Sequence, residues 1–518
     1  MNDFFTFIGE QSGKLVEQTL THIGLTFLSL LIALIVGVPL GILISRRKGA
    51  ASLVLGLTGV LQTIPSIALL GFLIPLLGIG VGPALVALFL YALLPIVRNT
   101  YVGITEVNPT LREAARGMGM TDTQVLVRVE LPLAMPVIFA GIRTATVINV
   151  GVATLAAYIA AGGLGEFIFG GIALNNTNMI LAGAIPAALL AVLFDVGLAR
   201  LQRIKRIRFT GAALGWLALV PLLSSMYLVP QAGQTKLLAG FAHEFAGRSD
   251  GYPGLVATYG LNISTRLIDQ NLMYEAIHSN RVDVISGYST DGRINAFNLR
   301  VLTDDKQAFP PYAAAPVVRQ SILDQYPALE PTLNRLAGKL TDSVMTDLNY
   351  RADYLHQSPD RVASAFLRKA GLWKTPVGER VGRVVIGSKI FTEQYILVEI
   401  YRQLIEGHTS LQAVSKTGFG GTKLCFDALR TGAIDFYPEY TGTGLLVILQ
   451  PTQKTLDALD GKPNAVFRYV ETEFSRQYKL RWLLPLGFNN AYCLMMRQEQ
   501  ANQLQIQTIS QLTHYLSE

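Results

Sequence analysis

Cysteine, histidine and charged residues are all scarce in this sequence. Its 518 residues include two cysteines, Cys425 and Cys493, and six histidines. Two cysteines make no disulfide framework; the alternatives are one bridge outside the cell or, more simply, a pair of buried thiols. The sequence also shows no Ser/His/Asp set and no Cys/His metal spacing. We therefore expect no metal, no cofactor and no catalysis by this chain.

A phosphate-binding loop of the form GxxxxGK[ST] is also missing. The nearest pattern spans residues 382–387 and continues with Ser388 and Lys389, so the last two positions of the motif are reversed. We therefore predict no nucleotide site here, and any ATP hydrolysis would occur on another chain.

Charged residues make up only 15% of the chain, while hydrophobic residues make up 50%. Soluble domains usually carry about a quarter charged residues. The shortage is confined to residues 20–230, whereas residues 231–518 have the composition of a soluble protein. The net charge of +7 comes largely from short Arg and Lys clusters beside apolar runs, which indicates membrane orientation rather than nucleic-acid binding.

Long apolar runs predict a helical membrane domain, because a bilayer-spanning helix needs about 20 mostly apolar residues. The candidate spans lie near residues 22–44, 52–77, 82–98, 135–160, 178–198 and 211–230. Gln62, Pro65 and Pro75 interrupt the second of them. Basic residues cluster after the first span, between the third and fourth, and between the fifth and sixth. Placing these clusters in the cytoplasm gives six spans, with the N-terminus and everything after Pro230 outside.

Two ionisable residues, Arg143 and Asp195, lie near the predicted ends of spans. Charges inside a membrane can mark an ion pathway. At span ends, however, snorkelling or mutual pairing is the simpler explanation, so we assign neither residue a role in transport. Asn149, in the fourth span, is either an interior polar group or a contact between helices.

A short charged segment, residues 113–136, separates the third and fourth spans and reads EAARGMGMTDTQVLVRVELPLAMP. Its helix-favouring start is broken at Gly117 and Gly119. Thr121 or Asp122 can cap a second helix, at about 123–130, which Pro132 is expected to end. From the residues alone, this segment is either an ordinary cytoplasmic loop or a lever on which a soluble partner acts.

The same segment resembles the coupling loop of ABC importer permeases. The resemblance rests on Glu113, Ala114, Ala115, Gly119, Leu131 and Pro132. In that family the helix of this loop docks into a groove on the ATP-hydrolysing subunit. The resemblance therefore implies a separate ABC ATPase chain as partner and a homodimer of the permease that forms the pathway.

Beyond residue 236, β-like runs alternate with helical patterns, which predicts an α/β fold. Examples are the strands 282–285 and 383–386 and the helices 360–369 and 394–405. Residues 374–382 have the composition of a linker.

This half of the chain resembles the binding proteins for glycine betaine, choline and related quaternary amines. The first part of those proteins is similar to GSKIFTEQYILVEIYRQLIE (387–406), GGTKLCFDALRTGAIDFYPEYTGTG (420–444) and PLGFNNAYCLMMR (485–497). Their later part is similar to HEFAGRSDGYPGL (243–255), VDVISGYSTDGRI (282–294) and LTDDKQAFPPYAAAPVVR (302–319). The order of the two parts is therefore reversed here. Either the domain is circularly permuted or it holds two truncated copies; we favour permutation, because the parts make one set without duplication.

The predicted fold class is a membrane all-α permease of about six transmembrane helices, fused to a soluble α/β domain that resembles two-lobed periplasmic binding proteins and is circularly permuted. The predicted domains are a permease at 1–209, an extra transmembrane helix and linker at 210–233, and a bilobed substrate-binding domain at 234–518. One lobe would contain about 235–315 plus 493–518, and the other about 320–490.

A quaternary ammonium has no N–H to donate, so proteins hold it against aromatic faces, each worth roughly 0.5–2 kcal/mol. Four tyrosines in the family-like motifs are expected to form such a box: Tyr288, Tyr312, Tyr440 and Tyr492. The alternative is that they are ordinary half-buried loop tyrosines.

A betaine also carries a carboxylate, which a basic group and a hydroxyl can bind. The best candidates by motif position are Arg248, Lys389 and Thr443, with Glu244 and Asn490 as edge contacts and Gln394 as a weaker candidate. Arg248 has an alternative role in an interlobe salt bridge with Glu244 or Asp250.

These features together predict the permease and substrate-binding subunit of an importer for glycine betaine, choline or carnitine, taken up against osmotic stress. We expect a multi-pass protein of the cell membrane, with its coupling loop in the cytoplasm, its binding domain outside, lipid around it and no nucleic-acid partner. The alternatives are import of ergothioneine or another amino-acid betaine, and a sensor that binds quaternary amines without transport. An amino-acid importer of the same permease family is a further alternative, against which the tyrosines argue.

Overall fold

A computed structural model describes residues 2–174, 176–203, 236–270, 272–376, 378, 380–459 and 461–518. The chain divides into a helical unit, made almost entirely of the first part of the sequence, and an α/β unit from residue 236 onward. The predicted sixth span, at 211–230, lies outside the described residues.

The described residues of the first part of the chain are mostly helical. Its helices are α1 (Asn2–Glu10), α2 (Ser12–Arg46), α3 (Lys48–Thr63), α4 (Ser66–Leu77), α5 (Val81–Thr105), α6 (Pro109–Gly117), α7 (Asp122–Val125), α8 (Leu131–Ala153), α9 (Gly165–Leu174) and α10 (Thr177–Arg203). In the part of the chain that the structure describes, four stretches are long and apolar enough to cross a membrane: Ser12–Arg46, Val81–Thr105, Asp122–Ile159 and Thr177–Arg200. They contain the predicted first, third, fourth and fifth spans, so the protein is an integral membrane protein.

The predicted second span is broken rather than straight. Helices α3 and α4 meet at an angle of 98°. Pro65 follows Ile64 at this break, and Ile64 has extended backbone angles (φ −67°, ψ 126°). A proline disfavours the helical conformation of the residue before it, which explains why the chain bends here.

Polar side chains inside the helical unit join neighbouring helices. Arg143 donates from Nε and Nη2 to the two carboxylate oxygens of Asp195, at 3.0 and 2.9 Å. Asn149 donates from Nδ2 to the hydroxyl of Ser29, at 3.0 Å. Both contacts tie α8 to another helix, which confirms mutual pairing for Arg143 and helix–helix contact for Asn149.

The segment between the third and fourth spans corrects one expectation. Thr121 caps α7 with a full capping box, as the sequence predicted. Pro132, however, does not end the second helix, which continues to Ile159. A π-helical turn at Leu126–Glu130 precedes α8, and Leu131 N–H bonds to the carbonyl of Leu126. This wider turn shifts the hydrogen-bond ladder where Pro132 has no N–H to donate.

The α/β unit contains two five-stranded sheets. The strands are β1 (Leu238–Phe241), β2 (Ser264–Leu267), β3 (Val284–Tyr288), β4 (Leu299–Val301), β5 (Ala314–Arg319), β6 (Gly382–Gly387), β7 (Leu411–Lys416), β8 (Phe436–Tyr440), β9 (Leu480–Trp482) and β10 (Tyr492–Arg497). The first sheet has the order β2-β1-β3-β10-β4 and the second the order β7-β6-β8-β5-β9. We call the parts of the unit built on these sheets the first lobe and the second lobe.

Helices flank both sheets, which gives the α/β architecture that the sequence predicted. They are α11 (His243–Gly247), α12 (Tyr252–Tyr259), α13 (Met273–His278), α14 (Arg293–Ala296), α15 (Gln320–Gln325), α16 (Leu329–Leu333), α17 (Asp342–Asp353), α18 (Pro359–Lys369), α19 (Thr392–His408), α20 (Thr422–Arg430), α21 (Thr441–Thr443), α22 (Gln453–Leu459), α23 (Pro463–Tyr478), α24 (Gln498–Gln503) and α25 (Ile509–Ser517). Cys425 and Cys493 are free and buried, in agreement with the simpler interpretation.

The chain passes between the two lobes after β4 and after β9. These two crossing segments pair with each other through a bridge between Ala313 and Asn489. Next to the bridge, Tyr312 N–H donates to Oδ1 of Asn489 at 2.6 Å, and Asn490 N–H donates to the carbonyl of Tyr312 at 3.2 Å. The crossing therefore fixes residues from distant parts of the sequence at one place between the sheets.

Candidate aromatic binding site

Nearly all of the predicted ligand-binding residues line one cavity in the α/β unit. Gln394 alone among them is absent from the lining. The lining residues are Glu244, Arg248, Tyr288, Tyr312, Lys389, Phe391, Thr422, Tyr440, Thr443, Asn490 and Tyr492. Two of these, Phe391 and Thr422, were not predicted.

Strand ends bring the four tyrosines together. Tyr288 ends β3 and lies opposite Tyr492, the first residue of the antiparallel strand β10. Tyr440 ends β8 in the second sheet and lies opposite Ala314, two residues after Tyr312. The first pair therefore comes from the first lobe, whereas Tyr440 comes from the second and Tyr312 from a crossing segment.

The aromatic rings form a continuous series across the cavity. Tyr440 stacks on Phe391 with ring centroids 6.3 Å apart, and Phe391 stacks on Tyr288 at 5.7 Å. Tyr288 stacks on Tyr492 at 5.2 Å, and Tyr492 meets Tyr312 edge to face at 5.8 Å. Phe391 was not predicted, although it lies inside the family-like motif 387–406.

Two of the phenol hydroxyls donate to buried carboxylates. Tyr440 donates to Oε1 of Glu393 at 2.6 Å, and Tyr312 donates to Oδ2 of Asp250. Burial raises the pKa of both tyrosines well above the usual value, and the neighbouring carboxylates raise it further. Both side chains therefore remain neutral phenols that can donate these hydrogen bonds at physiological pH.

Both basic residues of the lining are already paired. Arg248 donates to Asp250 at 2.7 Å and to Glu244 at 3.0 Å, while its guanidinium lies 5.2 Å from the centroid of Tyr492. This is the salt bridge that the sequence allowed, although its partners are close neighbours in the first lobe rather than residues of opposite lobes. A ligand carboxylate at Arg248 would therefore compete with two protein carboxylates.

Lys389, in the second lobe, likewise lies beside both a carboxylate and an aromatic ring. Its ammonium lies 2.6 Å from Oε1 of Glu439 and 5.2 Å from the centroid of Tyr440. Gln394 lies behind this pair: it donates to the Tyr440 hydroxyl at 3.1 Å and accepts from the Lys389 backbone N–H at 3.2 Å. Gln394 therefore orients lining residues instead of facing the cavity.

The unpredicted Thr422 is the first residue of α20. The helix follows two glycines, and the exposed backbone N–H groups at such a start favour anions. The pair Gly420 and Gly421 before a helical pattern is the sequence signal that marks this position. Among the described residues, no group of three or more His, Cys, Asp or Glu side chains has a geometry that would hold a metal ion.

Of the predicted coupling residues, Glu113, Ala114 and Ala115 lie in α6, Gly119 lies between α6 and α7, and Leu131 and Pro132 begin α8. Glu113 and Ala114 are exposed, whereas Ala115 is buried. Gly119 is exposed with φ +84°, Leu131 is half-buried and Pro132 is exposed.

A buried carboxylate that was not predicted, Glu130, anchors this segment through two ion pairs. Glu130 is fully buried and pairs with Arg46 at the end of α2 and with Arg112 in α6. Its side chain therefore links α6 to the end of a membrane span.

Comparisons with known proteins assign both parts of the chain. The family described as the substrate binding domain of ABC-type glycine betaine transport systems matches residues 229–369 and 382–517. The family described as the inner membrane component of binding-protein-dependent transport systems matches residues 19–208.

Individual relatives and one solved structure each match a part of the chain. The glycine betaine/carnitine/choline transport system permease protein OpuCB of Bacillus subtilis is 46% identical over 203 residues, which are 39% of this chain and 94% of that protein. The osmoprotectant import permease protein OsmW of Salmonella typhimurium is 50% identical over 205 residues, 39% of this chain and 95% of that protein. A crystal structure of a glycine betaine/carnitine/choline ABC transporter is 40% identical, with a TM-score of 0.23, over 26% of this chain and 50% of that one.

Proposed function

We propose that this chain, a member of the family described as the substrate binding domain of ABC-type glycine betaine transport systems, is the permease and binding subunit of an ATP-driven importer for quaternary ammonium compounds. It joins that domain to an inner membrane component of binding-protein-dependent transport systems. The substrates are glycine betaine, choline or carnitine, taken up as osmoprotectants. The similar permeases of B. subtilis and S. typhimurium carry names from the same substrate class, which supports this assignment.

The continuous series of aromatic rings is the observation that carries the substrate class. A trimethylammonium group offers no hydrogen-bond donor, so ring faces are its natural partners. The rings come from both lobes and from one crossing segment, so a cation in the cavity that they line would contact residues of both lobes. A zwitterionic amino acid would instead need hydrogen-bond acceptors for its ammonium group.

Transport would be driven by a separate ATPase that acts on the segment between the third and fourth spans. The exposed Glu113 lies in α6 among exposed apolar side chains, including Leu111 and Met118, which are 46% and 72% exposed. Such a mixed surface suits a groove on a soluble partner. Two permease copies would form the pathway, with this segment in the cytoplasm and the α/β unit outside.

We also propose that the α/β unit is circularly permuted. Lys236, just before β1, donates to the carbonyl of Tyr515 at 3.1 Å, so the end of the chain lies beside the start of the unit. The binding-domain family matches in two pieces separated at 370–381, within the region that joins α18 to β6. Both observations support a cut between adjacent elements and a new join through that region.

An uptake measurement tests the proposed importer. The full chain is reconstituted in liposomes with its cognate ATPase, and radiolabelled choline, glycine betaine, carnitine and ergothioneine are supplied outside. We expect at least one of the first three to accumulate only when ATP is present inside. Uptake of ergothioneine alone would identify an importer of an amino-acid betaine, and high-affinity binding without any uptake would identify a sensor.

A further inference from the structure

A buried carboxylate outside the cavity lining connects the aromatic site to the contact between the lobes. Glu393, the second residue of α19, accepts four hydrogen bonds. Its Oε1 accepts from the Tyr440 hydroxyl at 2.6 Å and from Asn490 Nδ2 at 2.8 Å. Its Oε2 accepts from the Thr290 hydroxyl at 2.7 Å and from Asn349 Nδ2 at 3.0 Å.

The two oxygens serve different parts of the molecule. Tyr440 and Asn490, which bind Oε1, both line the aromatic cavity. Of the donors to Oε2, Thr290 follows β3 in the first lobe, whereas Asn349 belongs to α17, which packs against α19 in the second lobe. Asn349 also donates directly to the Thr290 carbonyl at 2.9 Å. The Glu393 side chain, in the second lobe, is thus hydrogen-bonded both to residues that line the aromatic cavity and to Thr290 of the first lobe.

The lobes are also in close contact two residues further on, at Gly292. A Cβ atom at Gly292, in the first lobe, would lie 2.1 Å from the backbone nitrogen of Tyr350 in α17. Backbone atoms cannot move aside as a flexible side chain can, so any larger residue at this position would hold the lobes apart. The hydrogen bond from Thr290 to Glu393 therefore exists only while the lobes are closed here.

The chemistry of a carboxylate fits this position. Ionised Glu offers acceptors only, with about four lone-pair sites, and four donors fill them. Burial raises the pKa of Glu393, and the four hydrogen bonds lower it in part. A Gln of the same shape would turn an amide N–H group toward two of the four donors, so it would break contacts without changing volume.

We propose that Glu393 is a positioning residue that couples the aromatic site to lobe closure: the hydrogen bond from Thr290 fixes the carboxylate, which in turn fixes the Tyr440 ring and the Asn490 amide against the ligand. This inference rests on the proposed binding of quaternary amines at the same site. It predicts that closing the lobes and ordering the box are a single event.

Two measurements on the full chain in lipid nanodiscs test the proposal. The first is the distance between spin labels at Lys369→Cys in the second lobe and Gln503→Cys in the first, both exposed positions. The native cysteines are buried, so they do not compete for the label. The second is the affinity for choline and glycine betaine by calorimetry.

The decisive variants are Glu393→Gln and Thr290→Val, because Thr290 does not line the aromatic cavity. We expect both to shift the distance distribution to longer values and to weaken binding by about ten-fold, the scale of one lost hydrogen bond to a charged group. Gly292→Ala should lengthen the distance without removing any donor. Glu399→Gln, on the same helix but paired with Arg402, should change neither measurement.

The proposal is overturned if Thr290→Val leaves both the distance distribution and the affinity unchanged. It is equally overturned if Glu393→Gln weakens binding while the lobes close normally, because Glu393 would then hold only Tyr440. If none of the amines binds the unmodified chain, the proposed function is wrong. The coupling of Glu393 to lobe closure would then survive only if both variants still lengthen the distance between the labels in the absence of ligand.

Discussion

The Lys389 ammonium and the Glu439 carboxylate form a buried ion pair, with Nζ 2.6 Å from Oε1 and side chains that are 7% and 0% exposed. Tyr437 also donates to Glu439, at 2.9 Å. The positive charge of Lys389 is therefore already neutralised by the protein. Any ligand carboxylate that approaches Lys389 must share this cation with Glu439.

Removing the Lys389 charge should affect ligands and stability in separable ways. In Lys389→Met, we expect affinity for glycine betaine to fall more than affinity for choline, because choline has no carboxylate to bind. The variant should also lose about 3–5 kcal/mol of stability, since Glu439 is left buried and unpaired. Lys389→Met combined with Glu439→Gln removes both charges and should recover most of that loss in thermal unfolding. Equal loss of both affinities would show that Lys389 does not bind the ligand carboxylate.

The buried Glu130 gives a stability prediction for the helical unit. Glu130→Ala should lower the melting temperature and reduce uptake, because Arg46 and Arg112 lose a shared partner and α6 loses its attachment to α2. Asp122→Asn is the matched control, since Asp122 pairs with Arg116 in the same segment at side-chain exposures of 85% and 60%. Exposed pairs contribute about 0–1 kcal/mol, so this control should keep its melting temperature. Equal effects of the two changes would refute a special role for Glu130.

Substitution of Gly119 separates the importer from the sensor. Gly119 has φ +84°, a region in which an alanine costs on the order of 1–3 kcal/mol. Gly119→Ala should therefore distort the turn between α6 and α7, and we expect ATP-dependent uptake to fall while ligand affinity stays unchanged. Gly117→Ala is the control, because a Cβ at Gly117 meets no atom within 4 Å and Gly117 has no left-handed backbone to strain. Normal uptake in Gly119→Ala would argue against the proposed coupling segment.

The residues that line the aromatic cavity could be predicted because they lie in short sequence motifs. Tyr440 and Tyr492 stand in motifs that can be recognised in the sequence, and each lies at a strand end where side chains converge. Glu393 was not predictable in the same way. An acidic residue in the first turn of a helix usually indicates a solvent-exposed position, whereas Glu393 is buried among donors from distant parts of the chain, Thr290, Asn349, Tyr440 and Asn490.

The helices were predicted from apolar length and capping residues, which are properties of a few neighbouring positions. The error at Pro132 came from a feature without a sequence signature: a π-helical turn at Leu126–Glu130 displaces the ladder by one residue. The roles of Arg248 and Lys389 were also beyond the sequence, since pairing with Asp250, Glu244 or Glu439 depends on side-chain geometry.

The most direct test of the account is calorimetry of the full chain against glycine betaine, choline, carnitine and ergothioneine, with Tyr440→Ala, Tyr492→Ala and the control Tyr515→Ala, which lies outside the cavity lining. We predict that at least one of these amines binds. The first two variants should weaken that binding by about ten-fold, or about 1.4 kcal/mol, while the control binds normally. Binding of proline or histidine, with none of the four amines bound, would contradict the assignment of an aromatic site for quaternary amines.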